Sequence, residues 1–163
     1  MNIKHLKEPF VLVLIGPPLS GKTTFIRKNF SGSEVKIISR DQIVLDVYGT
    51  DNYDEAFKNV NQKAVDTELQ RQLSEYSLKG ENVIIDMTNM TSKRRSHNLS
   101  YFGNDYAKVA VIFPILEWDE YRKRNTKRQQ EEMKFIPENV IRNMISSYQP
   151  INPSEGFDKV VSL

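Results

Sequence analysis

Residues 10–29 read FVLVLIGPPLSGKTTFIRKN, and this stretch decides the fold. Val11 to Ile15 is an apolar run that stops at Gly16. Gly16-x-x-x-x-Gly21-Lys22-Thr23 follows, the spacing of a phosphate-binding loop. Gly16 lets the chain leave a strand in a conformation that other residues resist. The N–H groups of Gly16, Pro17-Pro18-Leu19-Ser20 (the prolines excepted) and Gly21 can then line an anion cradle. A helix opening near Gly21 aims its positive end at the same anion. In this pattern Lys22 reaches the β- and γ-phosphates, and the Thr23 hydroxyl, next to Thr24, ligates Mg²⁺. Leu19 stands where such loops often carry another glycine, and a side chain there narrows the loop's conformational freedom.

Outward from this loop, apolar runs and helical patterns alternate. Strands are expected at 10–15, 35–39, 83–85, 109–113 and 157–162. Helices are expected at 22–30, 42–48, 53–78, 93–102 and 117–132, with a last one opening at Pro137. Ala56, Val60, Ala64, Leu69, Leu73 and Tyr76 read as the buried stripe of one long helix, 53–78. Val140, Ile141, Met144 and Ile145 mark the apolar face of the last helix. Alternating strands and helices predict an α/β fold with a parallel sheet covered on both faces. In such sheets ligands sit at the carboxyl ends of the strands.

The 163 residues are expected to form one domain, with ordinary hydrophobic and charged fractions. No apolar run approaches a membrane span, and Met1 to Glu8 is a polar lead-in without a signal-peptide core. The absence of cysteine excludes disulfides, thiolate metal sites and a cysteine nucleophile, and fits a cytoplasmic location. His5 and His97 have no metal-ligand spacing. A net charge of +2 says little about partners; local clusters say more.

Three stretches fall at strand ends, the phosphate loop and two more. Arg40-Asp41 lies 19 residues after Lys22. Asp41 is placed to accept a proton from an acceptor hydroxyl, or else to cap the following helix. Arg40 is either structural or a phosphate contact. Asp86-Met87-Thr88-Asn89 closes the third strand. Asp86 suits a water-mediated Mg²⁺ ligand, or else a turn. Thr88 and Asn89 either bond a substrate or shape the loop. Arg94 and Arg95 either meet a substrate phosphate or form an exposed charged face. Residues 122–128 carry five positive charges in seven positions, with Arg124 and Arg128 sharing a helix face. That face is either a lid over the transferred phosphoryl group or a solvated surface. Trp118 and the tyrosines are either base-stacking or packing residues.

Taken together, Gly16 to Thr24, Ser39-Arg40-Asp41, Asp86 to Asn89, Lys93-Arg94-Arg95, Arg124 to Arg128 and Pro137 resemble the 5′-hydroxyl polynucleotide kinases, the bacteriophage enzyme's kinase domain among them. The resemblance covers nearly the whole chain. It implies a P-loop NTPase/kinase fold with a five-stranded parallel sheet and a helical, arginine-bearing lid. It implies ATP as donor, Mg²⁺ as cofactor and a nucleic acid 5′-hydroxyl as acceptor. Asp41 would be the general base, Lys22 and Thr23 would hold phosphates and metal, and Arg128 with Arg124 would belong to the lid. Val44 stands where the bacteriophage enzyme has an arginine on the acceptor phosphate, and no appended phosphatase domain is expected. A small-molecule P-loop kinase and a non-catalytic nucleotide-binding module are the rival readings.

Overall fold

The computed structural model describes residues 6–163; His5 and the first part of the polar lead-in lie outside them. β1 (Phe10–Ile15) is followed by α1 (Lys22–Phe30), β2 (Lys36–Ser39), α2 (Arg40–Tyr48), α3 (Tyr53–Asn59), α4 (Gln62–Leu78) and β3 (Val83–Asp86). Then come α5 (Ser92–Leu99), β4 (Ala107–Ile112), α6 (Trp118–Glu132), α7 (Glu138–Ser146), a 3₁₀ turn at Pro153–Glu155 and β5 (Lys159–Ser162). The five strands form one parallel sheet in the order β2-β3-β1-β4-β5. No helix among the described residues is long and apolar enough to cross a membrane.

The alternation of β1 sets the layers. Val11, Val13 and Ile15 enter one core with Ile43 and Val44 of α2, Ala56 of α3, Val65, Leu69 and Leu73 of α4, and Leu99 of α5. Phe10, Leu12 and Leu14 enter a second core with Ile26 of α1, against which Phe25 and Phe30 pack. All six side chains of β1 are buried, and each is worth about 1.5–3 kcal/mol. The expected helices on both faces are therefore present, α1 on one and α2 to α5 on the other.

One element differs from expectation. The helical stripe 53–78 is two helices, broken after Asn59. Val60 turns to an extended conformation, φ −65° and ψ 145°, and the Asn61 side chain accepts from the Ala64 N–H to start α4. An asparagine at the cap satisfies a donor that the helix otherwise leaves free. The apolar period runs across the break, so the pattern hides it.

Arg95 fixes the segment after β3. It is fully buried, with Nε 2.7 Å from Glu155 Oε2 and Nη2 2.8 Å from Glu155 Oε1. Its remaining donors go to the carbonyls of Asn89, Met90, Gln149 and Pro150. This clamps the 87–91 loop to the approach to β5. Arg95→Met strands a buried carboxylate and is expected to lower unfolding free energy by about 3–5 kcal/mol, read by urea denaturation.

Candidate active site

The register of the sheet brings the strand ends together. Ser39 pairs with Asp86 across β2 and β3, so the start of α2 lies beside the end of β3. The N–H of Gly16, just past β1, donates to the Thr88 carbonyl at 3.0 Å. The phosphate loop, Asp41 and Asp86 thus share one crevice.

Within the loop, a Cβ on Gly16 would stand 2.8 Å from Phe113 Cβ and 2.8 Å from Ser20 Oγ, so no larger residue fits. Gly21 has φ 104°. Leu19 has φ 66°, the left-handed conformation that glycine adopts freely. Ser20 Oγ is buried and has no hydrogen-bond partner among the described residues. Lys22 Nζ donates to the carbonyls of Gly16 at 2.9 Å and Pro17 at 2.7 Å, folding the ammonium back on its own loop. Burial lowers the Lys22 pKa to about 8, against the opposing pull of Asp86 and Asp41. Arg128 and Lys134 push the same way as burial.

Asp41 does not cap α2; Ser39 does, its side chain accepting from the Gln42 N–H. Asp41 sits in the first turn with its side chain about half exposed. Oδ2 is bonded to the Lys134 ammonium, and Oδ1 accepts from the Tyr53 hydroxyl at 3.4 Å. Burial, then the Asp41 charge, raises the Tyr53 pKa. Burial also raises Asp86, against Lys22, and lowers Lys134, against Asp41. Lys22, Asp41, Asp86, Arg128 and Lys134 all lie close enough to act on one another electrostatically.

The basic run divides by face. Arg124 donates from Nη1 to the Leu19 carbonyl at 2.9 Å and from Nε to Glu120 at 2.6 Å. Arg128 is partly buried beside the cluster, with Nε on Glu132 at 3.0 Å. Arg122 and Lys127 instead pair with carboxylates at the surface. Arg124 thus reaches the loop, while Arg122 and Lys127 lie on the solvated side of α6.

Three candidate substrate contacts are corrected. Arg40 donates to Asp66 at 2.7 Å and to Gln62 at 2.8 Å, tying α2 to α4. Asn89 is buried and donates to the Leu14 carbonyl at 2.8 Å, while its own oxygen accepts from Asn98 at 3.0 Å. Arg95 has its donors taken by Glu155 and four carbonyls. All three hold the crevice in shape rather than face it. Thr88 stands at the crevice through its carbonyl, and Arg94 is exposed on α5 with no side-chain partner among the described residues. Tyr53 and Lys134 carry no sequence signal of their own. The one legible hint is Asn125, between Arg124 and Arg128. It exchanges two hydrogen bonds with the Ile136 backbone and so holds the segment that carries Lys134.

For a Mg²⁺ ion the donors on hand are the Thr23 hydroxyl, exposed in the first turn of α1, and the Asp86 carboxylate. Oxygen donors few in number suit an ion that keeps several waters and leans on phosphates. The unpartnered Ser20 hydroxyl likewise fits a loop completed by a bound anion.

The chain matches the AAA domain family over residues 11–151 and belongs to that family. Among solved structures it is similar to the Pnkp1/Rnl/Hen1 RNA repair complex, at 24% identity over 90% of this chain and 45% of that one, TM-score 0.67. It is similar to Kti12 of Chaetomium thermophilum in complex with ADP-AlF3, at 17% identity over 94% and 88%, TM-score 0.64. It also resembles a putative kinase from Chloroflexus aurantiacus, at 14% identity over 98% and 86%, TM-score 0.62. The chain spans less than half of the RNA repair chain that it matches. These likenesses show the fold alone; with the AAA domain match, that fold is P-loop NTPase/kinase-like. No curated protein matches the chain.

With a pKa of about 8, Lys22 is largely neutral in the free protein at pH 8.5. A bound triphosphate favours its charged form and raises that pKa. Nucleotide binding at pH 8.5 is therefore expected to take up a proton and at pH 6.5 not to. Calorimetry in two buffers of different ionisation enthalpy reads this, and Lys22→Met removes it.

Proposed function

We propose that this protein is an ATP- and Mg²⁺-dependent kinase whose acceptor is the 5′-hydroxyl of a nucleic acid. The observation that supports the reading is the placement of Lys22, Asp41 and Asp86 at the carboxyl ends of three neighbouring strands, with Arg128 of α6 near enough to act on Lys22 and Asp86 electrostatically. In this reading the backbone of Gly16 to Thr23 binds the β- and γ-phosphates. Lys22 leaves the Gly16 and Pro17 carbonyls and turns its ammonium to them. Asp41 holds the acceptor hydroxyl and takes its proton as the oxygen attacks. Arg128, with Arg124 from the loop side, offsets the charge on the transferred group. Thr23 and Asp86 would hold Mg²⁺, which neutralises phosphate charge when bound.

The acceptor side is open. The Asp41 side chain is about half exposed, and Tyr53 beside it stacks on Phe57 with ring centroids 5.5 Å apart. Phe57 is itself 54% exposed. An aromatic shelf next to the base suits a stacked nucleobase. A second reading, a small-molecule hydroxyl as acceptor, draws on Val44. It is 1% exposed in the core, so position 44 offers no cation to an acceptor phosphate.

Incubation with labelled ATP and either a 5′-hydroxyl oligonucleotide or a panel of small alcohols separates these readings. Label on the oligonucleotide is expected, with Asp41→Asn lowering kcat by about 10²–10⁴-fold. Label confined to small alcohols overturns the acceptor. ATP binding with no transfer to anything overturns the kinase reading.

A further inference from the structure

Lys134 lies outside every motif, yet it is the cation nearest the acceptor carboxylate. Its side chain is 7% exposed. Met133, with φ 52°, turns the chain out of α6, and the Asn125–Ile136 hydrogen bonds hold the returning segment. The ammonium is thereby carried over the Tyr53 ring, 3.6 Å from its centroid, and onto Asp41 Oδ2.

An ammonium has three N–H donors. Among the described residues Asp41 is the single hydrogen-bond acceptor that Lys134 meets, the Tyr53 ring taking only its charge. Donors buried without partners are costly, so the position is built for a further acceptor. Lys22 is close enough to Lys134 and Asp41, and Arg128 to Lys134, to act on them electrostatically. Three cations then face two carboxylates, and an anion placed among them would satisfy all three. A phosphoryl group crossing from the Lys22 loop to a hydroxyl at Asp41 would be such an anion.

We propose that Lys134 is a catalytic cation of phosphoryl transfer, its ammonium donating to an oxygen of the phosphoryl group in transit as Asp41 turns to the acceptor. The proposal rests on the kinase reading above. In the step, the bond from the acceptor oxygen to the γ-phosphorus forms and the bond from that phosphorus to the β,γ-bridging oxygen breaks. The hydroxyl proton passes to Asp41, ADP leaves, and Lys134 keeps its proton throughout. In the free protein the same ammonium occupies Asp41, so the carboxylate is released only when a phosphoryl group draws Lys134 away.

ADP with aluminium fluoride and Mg²⁺ imitates the transferred group without needing an acceptor. The test is its affinity, relative to ADP alone, for wild type, Lys134→Met and Lys134→Gln. Wild type is expected to bind the complex far more tightly than ADP. Both variants are expected to lose about 10²-fold of that tightening while their affinity for ADP stays within about threefold. Their kcat should fall by a similar factor with KM for ATP unchanged. Variants that keep the wild-type preference for the fluoride complex, or that lose ADP in parallel, overturn the role of Lys134 and leave the kinase reading standing. A wild type that cannot tell the fluoride complex from ADP overturns both.

Discussion

Between β1 and its two neighbours runs a parallel ladder in which none of the six β1 side chains reaches water. Every other feature is placed relative to that strand. Burial on both faces forces one layer of α1 and another of α2 to α5, and the parallel direction puts all loops of functional interest at one end. The backbone bond from Gly16 to Thr88 then joins the first of those loops to the third without any side chain.

The crevice at that end is electrostatically unfinished. Burial lowers Lys22 and Lys134 and raises Asp86, and the two lysines pair with the acceptors nearest them. Lys22 settles on carbonyls and Lys134 on Asp41. The pair of Lys134 with the half-exposed Asp41 adds little to stability, since desolvating the lysine offsets the attraction. Its value here lies in keeping charges oriented while a ligand is absent.

The fold was readable because β1 and its loop carry a spacing that chemistry, not packing, dictates. Lys22–Phe30 needed no revision, and β2 to β5 shifted by one or two residues at their ends. Two kinds of information stayed hidden. The Asn61 cap interrupts a helix without interrupting its apolar period. Long-range pairs leave no local trace: Arg95 belongs to a run of three cations that looks solvent-facing, and its partner Glu155 is 60 positions away. Lys134 finds Asp41 across 93 positions. Asn89 is a related case, since a polar residue after a strand reads as a contact for solvent or ligand until its carbonyl partner on β1 is known.

Leu19 stores strain in the phosphate loop, since a non-glycine residue in the left-handed region costs about 1–2 kcal/mol. Its carbonyl is held by Arg124, 105 positions further along the chain. The two facts together make the loop a preloaded joint whose restraint is anchored in another element. The rigidity of the loop is then a shared property of loop and helix, and any displacement of α6 is felt as a change in the tension of the loop backbone.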